Sequence, residues 1–331
     1  MIPPDFSAVV LLPRLRIQNA NAISSPITWG SPAPSAFTGF VHALQLRLNV
    51  LGYALCLGGV GIVCHEFDPQ VSSPPGRRTK VFRLTRNPID KDGTTAAIVE
   101  EGRCHLEVSL LITVAGSDCP VNEAECDALA AEMLSITQGM RIAGGSILPH
   151  PRPDRYPARW LPWDRSDHEA SIKAFRKLRR RLLPGFALVS RENLLAQHLD
   201  DMQKQAPDSN ALDALLDLCR LNIEPETETD ATGNSKVEWK VRRPYRGWLV
   251  PLPVGYAAIS ALYAPGEVRN TRDPNVPFRF VESVISLGEW VSPHRVAGLE
   301  QLLWHHHAQE EEGLYRLRNF YSPTPSSFTS N

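Results

Sequence analysis

Five cations fall close together in one short stretch: Arg77, Arg78, Lys80, Arg83 and Arg86. No acid interrupts them between Val71 and Asn87, and Phe82 sits in their midst. A cationic ribbon tracks a phosphate backbone, and an aromatic ring offers a face on which a base can stack. The competing reading is a charged sheet edge that resists aggregation. Such edges usually mix signs, which favours binding here. A second cationic set recurs at helical spacing. Lys173, Arg176, Lys177 and Arg180 fall opposite Phe175, Leu178 and Leu182, so one helix buries an apolar stripe and turns a single-sign face outward. That face suits phosphate, or an acidic protein surface.

Polar groups of a different kind cluster near the start. Gln18, Asn19, Asn21 and Ser25 follow an apolar run at 7–12. Amides and hydroxyls in a loop can read base edges or 2′-hydroxyls, although each can also cap a local turn. Gly144, Gly145 and Ser146 form a turn beside Arg141 that allows close backbone approach to a ligand.

Catalytic constellations are scarce. His42 is the one general-base candidate, on a helix beside an apolar stripe, with no second acid, base or oxyanion stabiliser evident in the sequence. The run His305-His306-His307 invites a metal, but consecutive helical residues diverge and cannot share one ion. P-loop, nucleophile-elbow, zinc-protease and paired-carboxylate patterns are missing. No cofactor or metal is expected.

The elements that must carry these residues follow from periodicity. Residues 7–12 are apolar on both faces, as in a buried strand. A polar loop follows, then a helix capped by Ser35 with Phe37, Val41, Leu44 and Leu48 in one stripe. Strands are expected at 58–67, at 77–86 and at 104–114, the last with one polar face. Asn122 and Glu125 open a second helix. A short strand at 139–148 completes the order β-α-β-β-α-β, with a basic hairpin inserted near 69–103. The expected fold class is α+β, with a ferredoxin-like core at 1–150. Residues 151–245 read as a helical insertion, starting in a proline-rich stretch. It carries a helix capped from Ser166 and a mobile acidic loop between Glu224 and Asp230. Residues 246–331 read as a C-terminal region that packs on the core. It includes a helix at about 295–307 and a polar, disordered tail at 322–331.

Bulk composition narrows the class. The chain has 331 residues, 43% hydrophobic, with a formal net charge of −1. Near-neutrality excludes indiscriminate coating of nucleic acid but allows a local basic groove. Six cysteines form no C-x-x-C pair, which argues against a zinc ribbon and fits reduced thiols in the cytoplasm. No apolar stretch is long enough to span a bilayer, so no membrane partner is expected.

Several blocks carry a resemblance. They are Leu11-Leu12-Pro13-Arg14-Leu15, the segment 17–26, and Pro34-Ser35-Ala36-Phe37-Thr38-Gly39-Phe40-Val41-His42-Ala43-Leu44. The segments 94–103 and 180–191, Pro265-Gly266-Glu267-Val268-Arg269-Asn270 and Leu287-Gly288-Glu289-Trp290 extend it across nearly the whole chain. Together they resemble the Cas-five class subunit of the type I-F CRISPR surveillance (Csy) complex. The resemblance implies an RRM-like core of the RAMP superfamily and no catalytic activity. It implies three partners: the 5′ handle of crRNA, a large subunit that helps hold it, and a backbone subunit packed alongside. Target DNA near the PAM-proximal end is a further candidate partner. Arg269, in the C-terminal block, joins the candidate RNA contacts. The RRM aromatic signature is missing from 104–114, so loops, the glycine turn and the basic hairpin are expected to hold the RNA instead of an open sheet. Two other readings compete: a metal-independent RAMP endoribonuclease using His42, and a protein-only scaffold whose basic surfaces meet acidic partners.

Overall fold

The computed structural model describes residues 5–77, 79–83, 89, 92–95, 101–229, 235–242 and 245–323. Strand β1 (Ala8–Asn21) leads into a small hairpin, β2 (Ile23–Ser25) and β3 (Thr28–Trp29), then helix α1 (Pro34–Val50) and strand β4 (Leu55–Pro69). Two-residue strands β5 (Val71–Ser72) and β6 (Val81–Phe82) precede β7 (Arg103–Gly116) and helix α2 (Glu123–Gln138). A tight hairpin follows, β8 (Arg141–Ile142) and β9 (Gly145–Leu148), then β10 (Arg159–Pro162), α3 (His168–Arg181) and β11 (Phe186–Ser190). Helices α4 (Glu192–Gln205) and α5 (Ala211–Cys219) lead to the ribbon β12 (Asn222–Thr229) and β13 (Ser235–Arg242). The last strands are β14 (Trp248–Ala258), β15 (Val281–Val291), β16 (Leu303–Gln309) and β17 (Leu314–Asn319).

The fold is mixed, with five described helices on a large, mostly antiparallel sheet. Its N-terminal part runs β4-β7-β1-β9. α1 connects β1 to β4 across β7, and α2 connects β7 to β9 across β1. Alternation along β1 explains both layers. Val10 and Leu12 pack with Phe37, Val41 and Leu44 of α1 and with Leu129 and Met133 of α2. Val9 and Leu11 point the other way, onto Phe175 and Leu178 of α3 and Leu182 just after it. Both faces of the central strands are therefore buried.

The C-terminal strands build a second feature on β4. β4 pairs with β11, β11 with β15, β15 with β14, β14 with β17, β17 with β16, and β16 with β4 again. These six antiparallel strands close into a ring. Trp304 fills its interior, fully buried, and its indole N–H donates to the Leu188 carbonyl at 2.9 Å.

Several sequence expectations are corrected. β1 continues through 18–21, so the expected polar loop is strand, with a register shift between Ile17 and Ala20 and Asn19 at a positive φ of 59°. Ser35 does not cap α1; Ala33 is the N-cap and makes no side-chain bond. The second helix starts as expected, with the Asn122 side chain accepting from the Glu125 N–H at 2.9 Å. α3 is capped by Asp167, one residue beyond Ser166. β7 has no polar open face from Ser109 onward, because α3 and the C-terminal strands cover it. Ser109 and Thr113 are buried there, and the Ser109 hydroxyl takes the Arg14 N–H at 3.0 Å.

The expected helix at 295–307 is two short 3-10 turns running into β16, since ladder pairing with β17 and β4 satisfies the backbone better. The acidic run is not a loop over residues 222–229; it is β12. Its glutamates face the cations of β13: Arg242 reaches Glu224 at 3.0 Å and Lys240 reaches Glu226 at 2.8 Å. Of the inserted basic hairpin, the described strands are β5 and β6 alone. The last eight residues of the tail lie outside the described residues.

No described helix is long and apolar enough to cross a membrane. All six cysteines are unpaired thiols. Burial pushes Cys104 up to about 12, the direction of an inert thiol.

Two predictions follow from this core. Trp304→Ala empties the ring and removes a buried hydrogen bond; unfolding in denaturant is expected to show a loss of about 3–5 kcal/mol. His305 is buried, and desolvation, then His306 and Arg165, holds it down at about 4 against an ordinary 6.5. Between those values the unfolded chain binds a proton that the folded chain refuses. Stability is therefore retained above about 6.5 and lost as pH falls toward about 4, by at most about 1.4 kcal/mol per pH unit from this residue. Burial lowers His65 and His306 as well, in the same direction. Denaturant midpoints measured across this range check the slope, which is expected to be shallower in His305→Gln.

Candidate nucleic-acid interface

The β8–β9 hairpin turns through Ala143 and Gly144, both at positive φ (50° and 75°), as a type I′ turn requires. Gly145 lies against β1. A Cβ there would stand 2.7 Å from the Ala20 nitrogen and 2.8 Å from the Gln18 carbonyl oxygen. The glycine pair is thus explained by one tight turn and one close backbone approach. The Ala143 carbonyl accepts the Asn21 N–H at 2.8 Å, which fixes the turn to the end of β1.

Beside this turn opens a cleft of about 700 Å³, lined by Asn21, Ser24, Arg103, Gly144, Tyr256 and the start of α1 at Ala33, Ser35 and Ala36. Helix α1 has no acid in its first turn and no side-chain cap, so its amide end presents a positive dipole to the cleft. Arg103 adds a guanidinium, paired with Glu101 and about one third exposed. Tyr256 is half-exposed and stacked on Tyr315 at 6.5 Å. Cation, helix end and aromatic face converge here, the combination that suits single-stranded nucleic acid.

The candidate residues from sequence divide among several places. Asn21 and Gly144 line this cleft; Gly145 and Ser146 belong to its hairpin, with Arg141 paired opposite Ser146. Gln18 instead lines a separate, smaller cleft with Arg16, Glu66, Asp68 and His105. Asn19 is occupied: its N–H donates to His105 Nδ1 at 3.3 Å, and its side-chain oxygen accepts from Gln70 at 2.5 Å. Asn21 bonds both polar atoms of its side chain to the Ile23 backbone, at 2.7 and 3.0 Å. Ser25 is buried, 2.6 Å from the Thr28 hydroxyl. For Asn21 and Ser25, local turn bonding is what the structure shows.

Arg77, Lys80 and Arg83 are exposed and make no ion pair with described residues; Arg78 and Arg86 lie outside the described residues. Phe82 is not an open stacking face, because Trp29 meets its ring edge-on at 5.4 Å and Gly102 packs beneath it. Lys173, Arg176, Lys177 and Arg180 are exposed on α3, on the opposite side of the sheet from α1. Arg269 is exposed in the connection between β14 and β15. His42 is exposed on α1 near His306, which hydrogen-bonds the Tyr315 hydroxyl at 2.8 Å. The three histidines lie on β16, and no group of three potential metal ligands occurs among the described residues.

Arg103 and Tyr256 were missed by the sequence reading. Arg103 carried only the faint signal of a cation just after a glycine at a strand start. Tyr256 lies in an apolar stretch and carried none.

A family model described as CRISPR-associated protein (Cas_Csy2) matches residues 10–317. The chain belongs to this family. The CRISPR-associated protein Csy2 of Pseudomonas aeruginosa (strain UCBPP-PA14) is 56% identical over 321 residues, covering 94% of this chain and 95% of that protein. The span matched by the Cas_Csy2 family includes every residue of the cleft, from Asn21 to Tyr256.

The two turn glycines are expected to respond differently. A Cβ at Gly145 collides with backbone, so Gly145→Ala should displace the hairpin and lower the thermal midpoint. Gly144 has open space but positive φ, so Gly144→Ala should cost only about 1 kcal/mol and leave the fold intact. Paired thermal melts check the ranking.

Proposed function

We propose that this chain is a non-catalytic RNA-binding subunit of a type I-F CRISPR surveillance complex. In this reading it holds the 5′ handle of crRNA together with the large subunit and caps the backbone filament during DNA targeting in the cytoplasm. The observation that carries it is the cleft between the α1 amide end, Arg103, Asn21, the Gly144 turn and Tyr256. The family assignment and the P. aeruginosa relative's description as a CRISPR-associated protein support the CRISPR context.

We read the N-terminal part as a ferredoxin-like RAMP core. Its support is the order β4-β7-β1-β9, with each helix bridging two strands that flank a third. In an RRM the open sheet face carries the stacking aromatics. Here α3 covers that face, so the RNA is held at the sheet edge and by loops.

The physical division of labour is simple. The helix end and the cations neutralise phosphate, which gives affinity and register but no sequence preference. The backbone of the Gly144 turn meets base edges or sugar hydroxyls, which gives preference. Arg77, Lys80 and Arg83 extend the phosphate track beyond the cleft, and Arg269 and the α3 cations are further contact candidates.

Tagged chain, co-expressed with neighbouring genes and a CRISPR array, tests the reading. Sequencing of retained RNA should return guides sharing one repeat-derived 5′ end, together with a large partner. Recovery without RNA supports the protein-only scaffold, and RNA cleavage in chelator that is lost in His42→Ala supports the nuclease. Replacing Arg77, Lys80 and Arg83 with alanine is expected to weaken RNA binding and to flatten the log–log salt dependence by about 2, at about 0.7 per lost single-strand phosphate contact.

A further inference from the structure

The ring of strands leaves one of its mouths unfilled. On the face of the ring that carries Trp304, register aligns Leu188 with Trp290, Trp290 with Trp248, and Phe186 with Cys64. Phe186 and Trp248 meet edge to face at 5.5 Å. They leave a mostly apolar groove of about 430 Å³, closed on one side by Trp29 of the β2–β3 hairpin. Trp248 remains 58% exposed, Trp29 55% and Phe186 45%. Three large aromatic rings gathered in one concave patch are what a binding surface exposes and what a free monomer surface avoids. The mouth of a small barrel is also a recurrent place for a ligand.

Charge decides the kind of occupant. Among the described residues no lysine or arginine lines the groove, and the carboxylate at its edge, Glu66, has no ion pair. His65 offers no charge either. Its Nδ1 lies 2.6 Å from the Pro184 carbonyl oxygen, its Nε2 lies 2.6 Å from the Ser109 hydroxyl, and burial lowers its pKa. A phosphate backbone would meet one negative charge here and no positive one. A protein segment meets what it needs: an aromatic pocket for one apolar side chain and an anion for a neighbouring cation.

We propose that this groove docks a segment of a partner protein that presents an aromatic or large aliphatic side chain beside a lysine or arginine. The apolar group enters against Trp248, Trp29 and Phe186, and the cation meets Glu66. This rests on the chain being a subunit of an assembly; the groove is distinct from the RNA cleft, although Ser24 touches both.

The test uses the co-expressed assembly. A photo-crosslinking phenylalanine analogue replaces Phe186 or, separately, Trp248, and the products are mapped by mass spectrometry. The expected result is a crosslink to a partner chain, at a peptide where an apolar residue adjoins a lysine or arginine. Trp248→Ala should reduce retention of that partner about tenfold, the effect of losing an interface anchor. Glu66→Lys should also reduce retention, and Glu66→Gln less so. Both Glu66 variants are solvent-facing and should keep the parent thermal midpoint, which separates lost docking from lost folding. A crosslink to RNA, a crosslink to a second copy of this chain, or no crosslink in an assembly that contains partners and RNA each overturns the docking proposal alone. Recovery of the chain with neither RNA nor partner overturns the subunit reading, and the docking proposal with it.

Discussion

Strand β4 is packed from both faces and paired along both edges, and it has room for this because glycine occupies Gly58, Gly59 and Gly61. A Cβ on Gly58 would stand 2.6 Å from the Thr113 hydroxyl, and one on Gly59 2.8 Å from His305 Nδ1. One on Gly61 would press at 3.2 Å on Leu111. The register against β7 slips between Leu57 and Val60, within this thin stretch. The slip bends the strand so that one edge serves the N-terminal sheet while the other meets β16 and, further on, β11. Both halves of the molecule depend on this shared strand. The cleft beside α1 needs β1 and β7 held flat against it, and the aromatic groove needs β11 and β14 curled around it.

Electrostatic organisation follows the same partition. Charges that stabilise the fold are paired and buried: Glu289 is almost wholly enclosed, bonded to Arg191 and 3.9 Å from Arg295, and Arg14 pairs with Glu107. Removing one member of such a pair would strand the other in a poorly solvated site. Open cations gather on two surfaces, around Arg77, Lys80 and Arg83 and along α3 from Lys173 to Arg180. A net charge near zero conceals this separation, because the open cations are balanced in the sum by open acids elsewhere, such as Glu123 and Glu125 on α2.

Much of the core was legible because its signals are local. The double-faced apolar run of β1, the stripe Phe37-Val41-Leu44-Leu48 and the Asn122 cap each specify an element within a few residues. What escaped depends on distant partners. The segment at 303–309 has helical composition, but β17 and β4 supply ladder bonds that no local pattern reveals. The glutamates of β12 look like a solvated loop until the cations of β13, further along the chain, are set against them. At the candidate site, the glycine turn was visible as a motif, whereas Arg103 and Tyr256 come together only through the packing of β7 and β14 around α1. Asn19 and Ser25 looked available in sequence and are used internally. The Asn19 side chain is taken by Gln70, and Ser25 by the Thr28 hydroxyl and the Ile27 N–H.

The ring closes through a pair of residues near opposite ends of the chain, Gly61 on β4 and Leu303 on β16. This separation imposes an order on biosynthesis. A ribosome releases β1, α1, β4, β7 and α2 early, and their contacts are local enough to condense while the rest is still being made. The outer edge of β4 must then stay open at Val60 and Gly61 until β16 emerges, although β11 can cover Val63 and Cys64 sooner. During that interval it is a bare strand edge with an apolar flank, the kind of surface that captures other chains.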